Sequence, residues 1–344
     1  MIAPAPSVFP TRAGRARLAI GAASVLVVAV VAALTGPADI SLGSSLREIL
    51  SKLPFVDVSS GLTALEREIL WSWRLPRIVL GALVGAVLSV SGAAYQGVFR
   101  NPLADPYLLG AAAGAGLGAT LAFASGVDGL VAPAAFLGAI AAVTVTYGLG
   151  RTAGGRTSTA LILAGVAMAS FLTAVQTFVL QANVETLREV YVWILGRLTT
   201  TGWNEVVLLA PYAAVSIAAV VLHRRVLDAM AVGDDEATAL GVSVARARIV
   251  IVVFATLGTA AAVAVSGLIG FVGIIVPHAV RLLAGTSYRV VVPLSALFGA
   301  AFLVAADLAA RTVISPAELP IGVVTAFLGA PFFVVVLRLT RRVA

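Results

Sequence analysis

Long apolar runs broken by short polar segments set the architecture of this 344-residue chain. A bilayer core about 30 Å thick takes roughly 20 apolar helical residues per crossing. On that measure ten spans lie near residues 18–36, 75–98, 107–124, 131–148, 158–180, 205–222, 249–267, 269–284, 290–310 and 319–338. The eighth is short and carries Gly270, Gly273 and Pro277. Between Ile249 and Val280 the only acidic or basic side chain is the titratable His278, so two crossings joined by a tight turn near Ser266 and Gly267 explain that length better than one. Alternating strand patterns are absent, which argues against a barrel. The first run follows Arg12, Arg15 and Arg17, as in a signal peptide. Thr35-Gly-Pro-Ala is a poor cleavage site, however, and more spans follow, so it is read as a first span. The expectation is an all-α membrane protein of about ten transmembrane helices in one polytopic domain, 1–344, with a tail at 1–17, an outer loop at 37–74 and a large polar loop at 223–248.

Composition agrees and adds orientation. With 60% hydrophobic and 11% charged residues and a mean hydropathy of +1.05, no soluble core could hide the apolar surface. The 33 glycines suit helices that approach closely in lipid. With no cysteine and two histidines, thiolate metal sites are excluded and little remains for a metal cluster. Lys and Arg favour cytoplasmic flanks. With both termini inside, cytoplasmic segments hold about 15 of the 23 basic residues and about 5 of the 16 acidic ones. The high pI is therefore a topology signal; the basic residues are scattered over short loops, which argues against nucleic acid.

This orientation places Gly233-Asp-Asp-Glu-Ala-Thr-Ala-Leu-Gly241 in the cytoplasm. Asp234, Asp235 and Glu236 suit the first turn of a short helix, and Gly241 suits its stop. Ala237, Ala239 and Leu240 give it an apolar side, which fits docking into a partner's groove; a solvated amphipathic connector is the plainer alternative. Lys52 is the only lysine and no Walker A glycine pattern precedes it, so an ATP-driven process needs ATP bound by another polypeptide. Within the spans, His278 and Asp307 are the main ionisable candidates. Packing beside Pro277 for the first, and water or Arg311 one helical turn away for the second, are the favoured readings. Gly110, Gly114 and Gly118 at i, i+4 spacing read as a helix-packing face. Val90-Ser-Gly92 before Pro102 and Val265-Ser-Gly267 before Pro277 share one spacing. That echo is either chance or an inverted repeat of spans 2–5 and 7–10.

Six ordered motifs carry a resemblance: Arg74-Leu-Pro-Arg77, Ser91-Gly-Ala-Ala-Tyr-Gln-Gly97, Asn101-Pro-Leu-Ala-Asp-Pro-Tyr-Leu-Leu-Gly110, Gly233 to Gly241, Gly267 to His278, and Glu318-Leu-Pro-Ile-Gly322 with Leu328-Gly-Ala-Pro331. From Arg74 onward the chain resembles the FecCD family of ABC importer permeases, which take up ferric siderophores, haem and vitamin B12. The resemblance implies a transport subunit of the cell membrane without an ATPase site or cofactor of its own. Its implied partners are a second permease, giving a homodimer, two cytoplasmic ATPases carrying ATP and Mg, and a periplasmic or lipid-anchored substrate-binding protein. It implies that Gly233, Asp234, Asp235, Glu236, Ala237, Leu240 and Gly241 form a coupling helix in a cleft of the ATPase. It implies that Arg74, Arg77 and Arg311 receive acidic residues of the binding protein, where interfacial anchoring beside Trp71 and Trp73 is the alternative. It implies an inner gate at Asn101, Leu103, Ser158 and Thr159, where a tight span connector is the alternative. The implied activity is ATP-driven alternating access for an iron complex, with cobalamin as alternative cargo. A secondary carrier or a membrane enzyme is less favoured because the interior lacks acids and bases.

Overall fold

The computed structural model describes residues 12–36, 41–52, 59–152, 158–200 and 202–340. All regular structure among them is helical: α1 (Arg12–Leu34), α2 (Leu42–Leu50), α3 (Ala64–Glu68), α4 (Leu75–Phe99), α5 (Ala111–Ala124), α6 (Val131–Thr152), α7 (Ser158–Ala182), α8 (Leu187–Ile194), α9 (Asn204–Leu222), α10 (Arg224–Val232), α11 (Asp234–Ala239), α12 (Val244–Ser266), α13 (Val272–Ala284), α14 (Tyr288–Thr312) and α15 (Ile321–Thr340). A single π-helical stretch, Ile69–Arg74, leads into α4.

The ten expected spans are α1, α4–α7, α9 and α12–α15. Seven apolar stretches meet the length of a full crossing, whereas α5, α13 and the apolar part of α15 are shorter. Three boundaries differ from the sequence expectation. Helix α1 starts at Arg12, so the basic flank is already helical; the rest of the expected tail lies outside the described residues. Helix α12 starts at Val244, one turn inside the expected 223–248 loop, because Arg248 reaches back to Asp234 instead of ending the helix. The outer 37–74 segment is not a plain loop but holds α2, α3 and the π-helical turn, although 37–40 and 53–58 fall outside the described residues.

Helix α4 is the axis of the bundle, with every residue from Val84 to Phe99 buried. It can sit there because one face is nearly free of side-chain bulk. A Cβ on Gly92 would overlap the carbonyl oxygen of Gly273 on α13, so the two backbones meet directly, as small residues allow in membranes. Polar groups on α4 are satisfied across that packing. Ser91 Oγ donates to Ala255 O at 3.0 Å, Tyr95 OH and Thr256 Oγ1 lie 2.7 Å apart, and Gln96 Nε2 donates to Gly273 O at 3.1 Å.

The packing is exchanged between halves. Helix α4 lies against α12, α13 and α14, while α12 lies against α4, α5 and α6. Within each half, α5 lies on α6 and α7, and α13 lies on α14 and α15. This is the arrangement an inverted repeat produces, with each half's first helix buried in the other half. The Gly114 and Gly118 face packs as expected, each against a carbonyl of α6, at Gly138 and Ala134. Gly110 instead takes a left-handed conformation, φ +83°, just before α5. His278 meets the ring of Phe332 edge-on at 6.0 Å, a packing role.

Candidate functional site

At the cytoplasmic end, α10 and α11 form a shelf below α4 and α14. Leu227 and Met230 of α10 are fully buried, and Asp228 accepts from Tyr288 N at 2.6 Å and Ser287 Oγ at 3.0 Å. Asp228 thereby satisfies a free amide at the start of α14 and fixes the shelf to the bundle.

Helix α11 follows after Gly233. Its first turn carries Asp234, Asp235 and Glu236, which suit the positive end of the helix dipole. It stops by a Schellman motif: Val242 N donates to Ala237 O at 3.0 Å and Gly241 N to Thr238 O at 2.9 Å. Gly241 holds φ +83°, a conformation open to glycine at little cost. The expected apolar side is divided. Ala237 is fully buried against the shelf, and Leu240 is 72% exposed. Asp235, Glu236 and Ala239 are also exposed, so the outward face is a leucine framed by acids.

Asp234 ties this helix to two others. Its Oδ2 lies 2.9 Å from Arg248 Nη2 on α12, and its Oδ1 lies 3.8 Å from Arg100 Nη2 at the end of α4. Arg100 ends α4 by the same motif, with Arg100 N donating to Gly97 O at 3.3 Å and Asn101 N to Gln96 O at 3.1 Å. Here the left-handed position, φ 50°, is held by arginine instead of glycine. A long side chain in that conformation costs about 1 kcal/mol, and its contact with Asp234 is the visible compensation. Neither Arg100 nor Arg248 was identified from sequence. An arginine directly before Asn101-Pro102 was the available signal, but nothing in the sequence places it beside Asp234.

Arg100 leads into the expected gate loop. Asn101 Oδ1 accepts from Leu103 N at 3.0 Å, closing a turn that Pro102 stiffens, and Leu103 is exposed. Asp105 Oδ1 accepts from Tyr107 N at 2.7 Å. Burial pushes the Asp105 carboxyl up to about 6, against the lowering effect of that backbone N–H. Tyr107 OH donates to Ile269 O at 3.0 Å, which joins this loop to the irregular segment between α12 and α13. Thr159 is exposed near the start of α7; the side chain of Ser158 lies outside the described residues. A cleft of about 660 Å³ runs between Tyr147, Leu161, Asp234, Asp235, Thr238, Arg246 and Arg248 beside this end.

At the outer end, the three arginines expected to await a partner are engaged within the chain. Arg74 is 5% exposed and donates to Ala33 O at 2.8 Å. Arg311 donates to Thr35 O at 2.9 Å and Ala32 O at 2.6 Å. Together they satisfy carbonyls that the end of α1 leaves open. Arg77 faces Asp307, with Nε 3.0 Å from both carboxylate oxygens and Nη2 2.8 Å from Oδ1. It also donates to Glu318, at 3.0 and 2.9 Å. Asp307 does meet Arg311, at 3.6 Å, but Arg77 is the nearer cation. Sequence reasoning paired Asp307 by helix spacing alone and missed this cross-helix partner. A cleft of about 230 Å³ opens beside the cluster, lined also by the exposed Arg197.

Comparisons with known proteins show the family and the fold. The model of the FecCD transport family matches residues 15–339. The chain is 44% identical over 281 residues to the cobalamin import system permease protein BtuC of Halobacterium salinarum, covering 81% of this chain and 75% of that one. It is 37% identical over 307 residues to the Fe(3+)-citrate import system permease protein YfmD of Bacillus subtilis, covering 88% and 90%. A solved inward-facing conformation of a metal-chelate type ABC transporter superposes with a TM-score of 0.82 at 27% identity, covering 94% of this chain and 99% of that one.

Proposed function

Because the chain belongs to the FecCD transport family, and so is the multi-pass membrane permease of an ABC importer working with separate ATPase subunits, we propose that it carries an iron complex, a ferric siderophore or haem, inward by alternating access. Cobalamin is the second reading, favoured by the 44% identity to the Halobacterium salinarum permease. Uptake of labelled ferric siderophore, haem and cobalamin by cells lacking and regaining this chain tests the cargo. Restored iron-complex uptake is the expected result, and restoration of cobalamin uptake alone overturns it.

The observation that carries the mechanism is the ion-pair chain from α11 through Asp234 to Arg100 and the gate loop. In this reading α11 sits in the ATPase cleft, with Asp235, Glu236 and Leu240 outward, and ATP with Mg is bound by the partner. Closure of the ATPase pair shifts α11. Asp234 conveys the shift to Arg100, and the gate residues Asn101, Leu103, Ser158 and Thr159 move with it. Coupling needs α11 to favour different permease states with and without ATP. The exposed Arg100 pair contributes under about 1 kcal/mol to stability. R100A is therefore expected to leave folding and ATPase association unchanged while lowering the cargo moved per ATP hydrolysed, and R100K to restore it. An unchanged ratio in R100A removes the link.

A second permease copy and a substrate-binding protein complete the proposed importer. Docking of acidic groups on the outer face would use Arg77, whose side chain keeps 15% exposure, with Arg311 and Arg74 acting from beneath by holding the end of α1. A binding-protein titration against R311E is expected to show weakened affinity, and unchanged affinity in a folded variant excludes this surface.

A further inference from the structure

Helix α2 is turned inside out. Leu42, Leu46, Ile49 and Leu50 recur at i, i+4, i+7 and i+8, a single apolar stripe. In a water-soluble domain that stripe would face the protein. Here Leu46, Ile49 and Leu50 are exposed, by 43%, 36% and 44%. The side turned inward is polar, with Ser45 and Glu48 each 3% exposed.

Glu48 is the fastening. Its Oε2 accepts from Ser60 Oγ at 2.6 Å, and its Oε1 accepts from Trp71 Nε1 at 3.3 Å and pairs with Arg67 Nε at 3.2 Å. The Ser60 hydroxyl above all holds this carboxyl below its ordinary range, against the effect of burial. A buried carboxylate with three partners fixes both the rotation and the depth of the helix.

The depth is set by neighbours. Trp71 O accepts from Trp203 Nε1 at 3.0 Å, and Trp203 directly precedes α9. Three residues past Trp71, Arg74 grips Ala33 at the end of α1. Helix α2 is therefore tied to the level at which α1, α4 and α9 leave the membrane. Trp73, 52% exposed, adds a third tryptophan to that level, where indoles favour the lipid headgroup boundary. Val31 and Val27, on the last turns of α1, are exposed as well.

We infer that α2 lies in the plane of the outer membrane interface, with the Leu46, Ile49 and Leu50 edge in the acyl chains and the Ser44 and Arg47 edge in water. Its occupant is lipid, and the helix is a lateral brace that ties the outer segment to the leaflet. The inference rests on the membrane placement of the spans and not on cargo or partners.

The chain has no cysteine, which makes single-site labelling direct. Bimane is attached to L46C, I49C, L50C, S44C and R47C in the full chain, assembled with its ATPase in vesicles of phosphatidylethanolamine and phosphatidylglycerol. The first three labels are expected to emit to the blue of the other two and to lose intensity with brominated lipid. Labels at Ser44 and Arg47 are expected to lose intensity with iodide. Iodide quenching at all five sites overturns the inference. So does protection of the apolar edge from iodide without quenching by brominated lipid, which would mean a protein covers it.

Discussion

Replacing Leu240 with aspartate is expected to cut ATP-driven uptake about tenfold or more while the permease stays folded and inserted. Leu240 is 72% exposed at the end of α11, and the stop of that helix depends on Gly241 and backbone hydrogen bonds, not on the leucine side chain. A surface substitution away from packing contacts changes stability by about 0.5 kcal/mol or less. Burying a leucine in a partner's groove contributes about 1.5–3 kcal/mol, and a carboxylate in its place adds a desolvation cost. A loss of about 1.4 kcal/mol is already tenfold in association. The measurement is joint: thermal stability of the purified variant, capture of the ATPase, and uptake in vesicles. Normal capture and normal uptake in L240D would sink the coupling role of α11.

The second large effect concerns stability. Arg77→Ala leaves Asp307, whose side chain is 5% exposed, with only Arg311 at 3.6 Å. Removing one member of a buried ion pair costs about 3–5 kcal/mol, chiefly because the other charge stays buried and unmatched. The lower end applies, since the Arg77 side chain keeps 15% exposure and Arg311 shares the charge. For a chain of this size that is a fall of roughly 4–5 °C in melting temperature in detergent. The double variant R77M/D307L removes both charges, and it is expected to recover most of the loss, because well-packed apolar replacements often match a buried pair. An R77A protein as stable as the parent would show that the cluster is dispensable to the fold.

These effects also show where sequence is informative. The ten spans were legible because lipid demands long apolar runs, and that demand leaves a pattern no local packing can disguise. Helix α11 was legible for a local reason: acids in its first turn and a glycine at its stop act within a few residues. The short outer helices α2, α3 and α8 were not. Helix α2 is held by contacts such as Glu48 with Trp71, which depend on distant chain meeting in space. The arginines illustrate the same divide. Their types and positions marked the outer face, but Arg77 finds Asp307 across 230 residues of chain, a pairing that helical spacing cannot supply. Arg100 was hidden because its conformation breaks the local preference for glycine, which only the backbone reveals.

The exchanged packing of the halves has a consequence for how the protein is made. Helix α4 enters the membrane early in synthesis, yet the partner of Tyr95 is Thr256, 161 residues later. At about 5–20 residues per second the ribosome needs roughly ten to thirty seconds to deliver it. During that interval the hydroxyls of Ser91 and Tyr95 and the amide of Gln96 face lipid, or whatever assembly factor shelters them. The future centre of the bundle is thus a nascent helix kept waiting, and its bare glycine face stays unoccupied until α13 arrives.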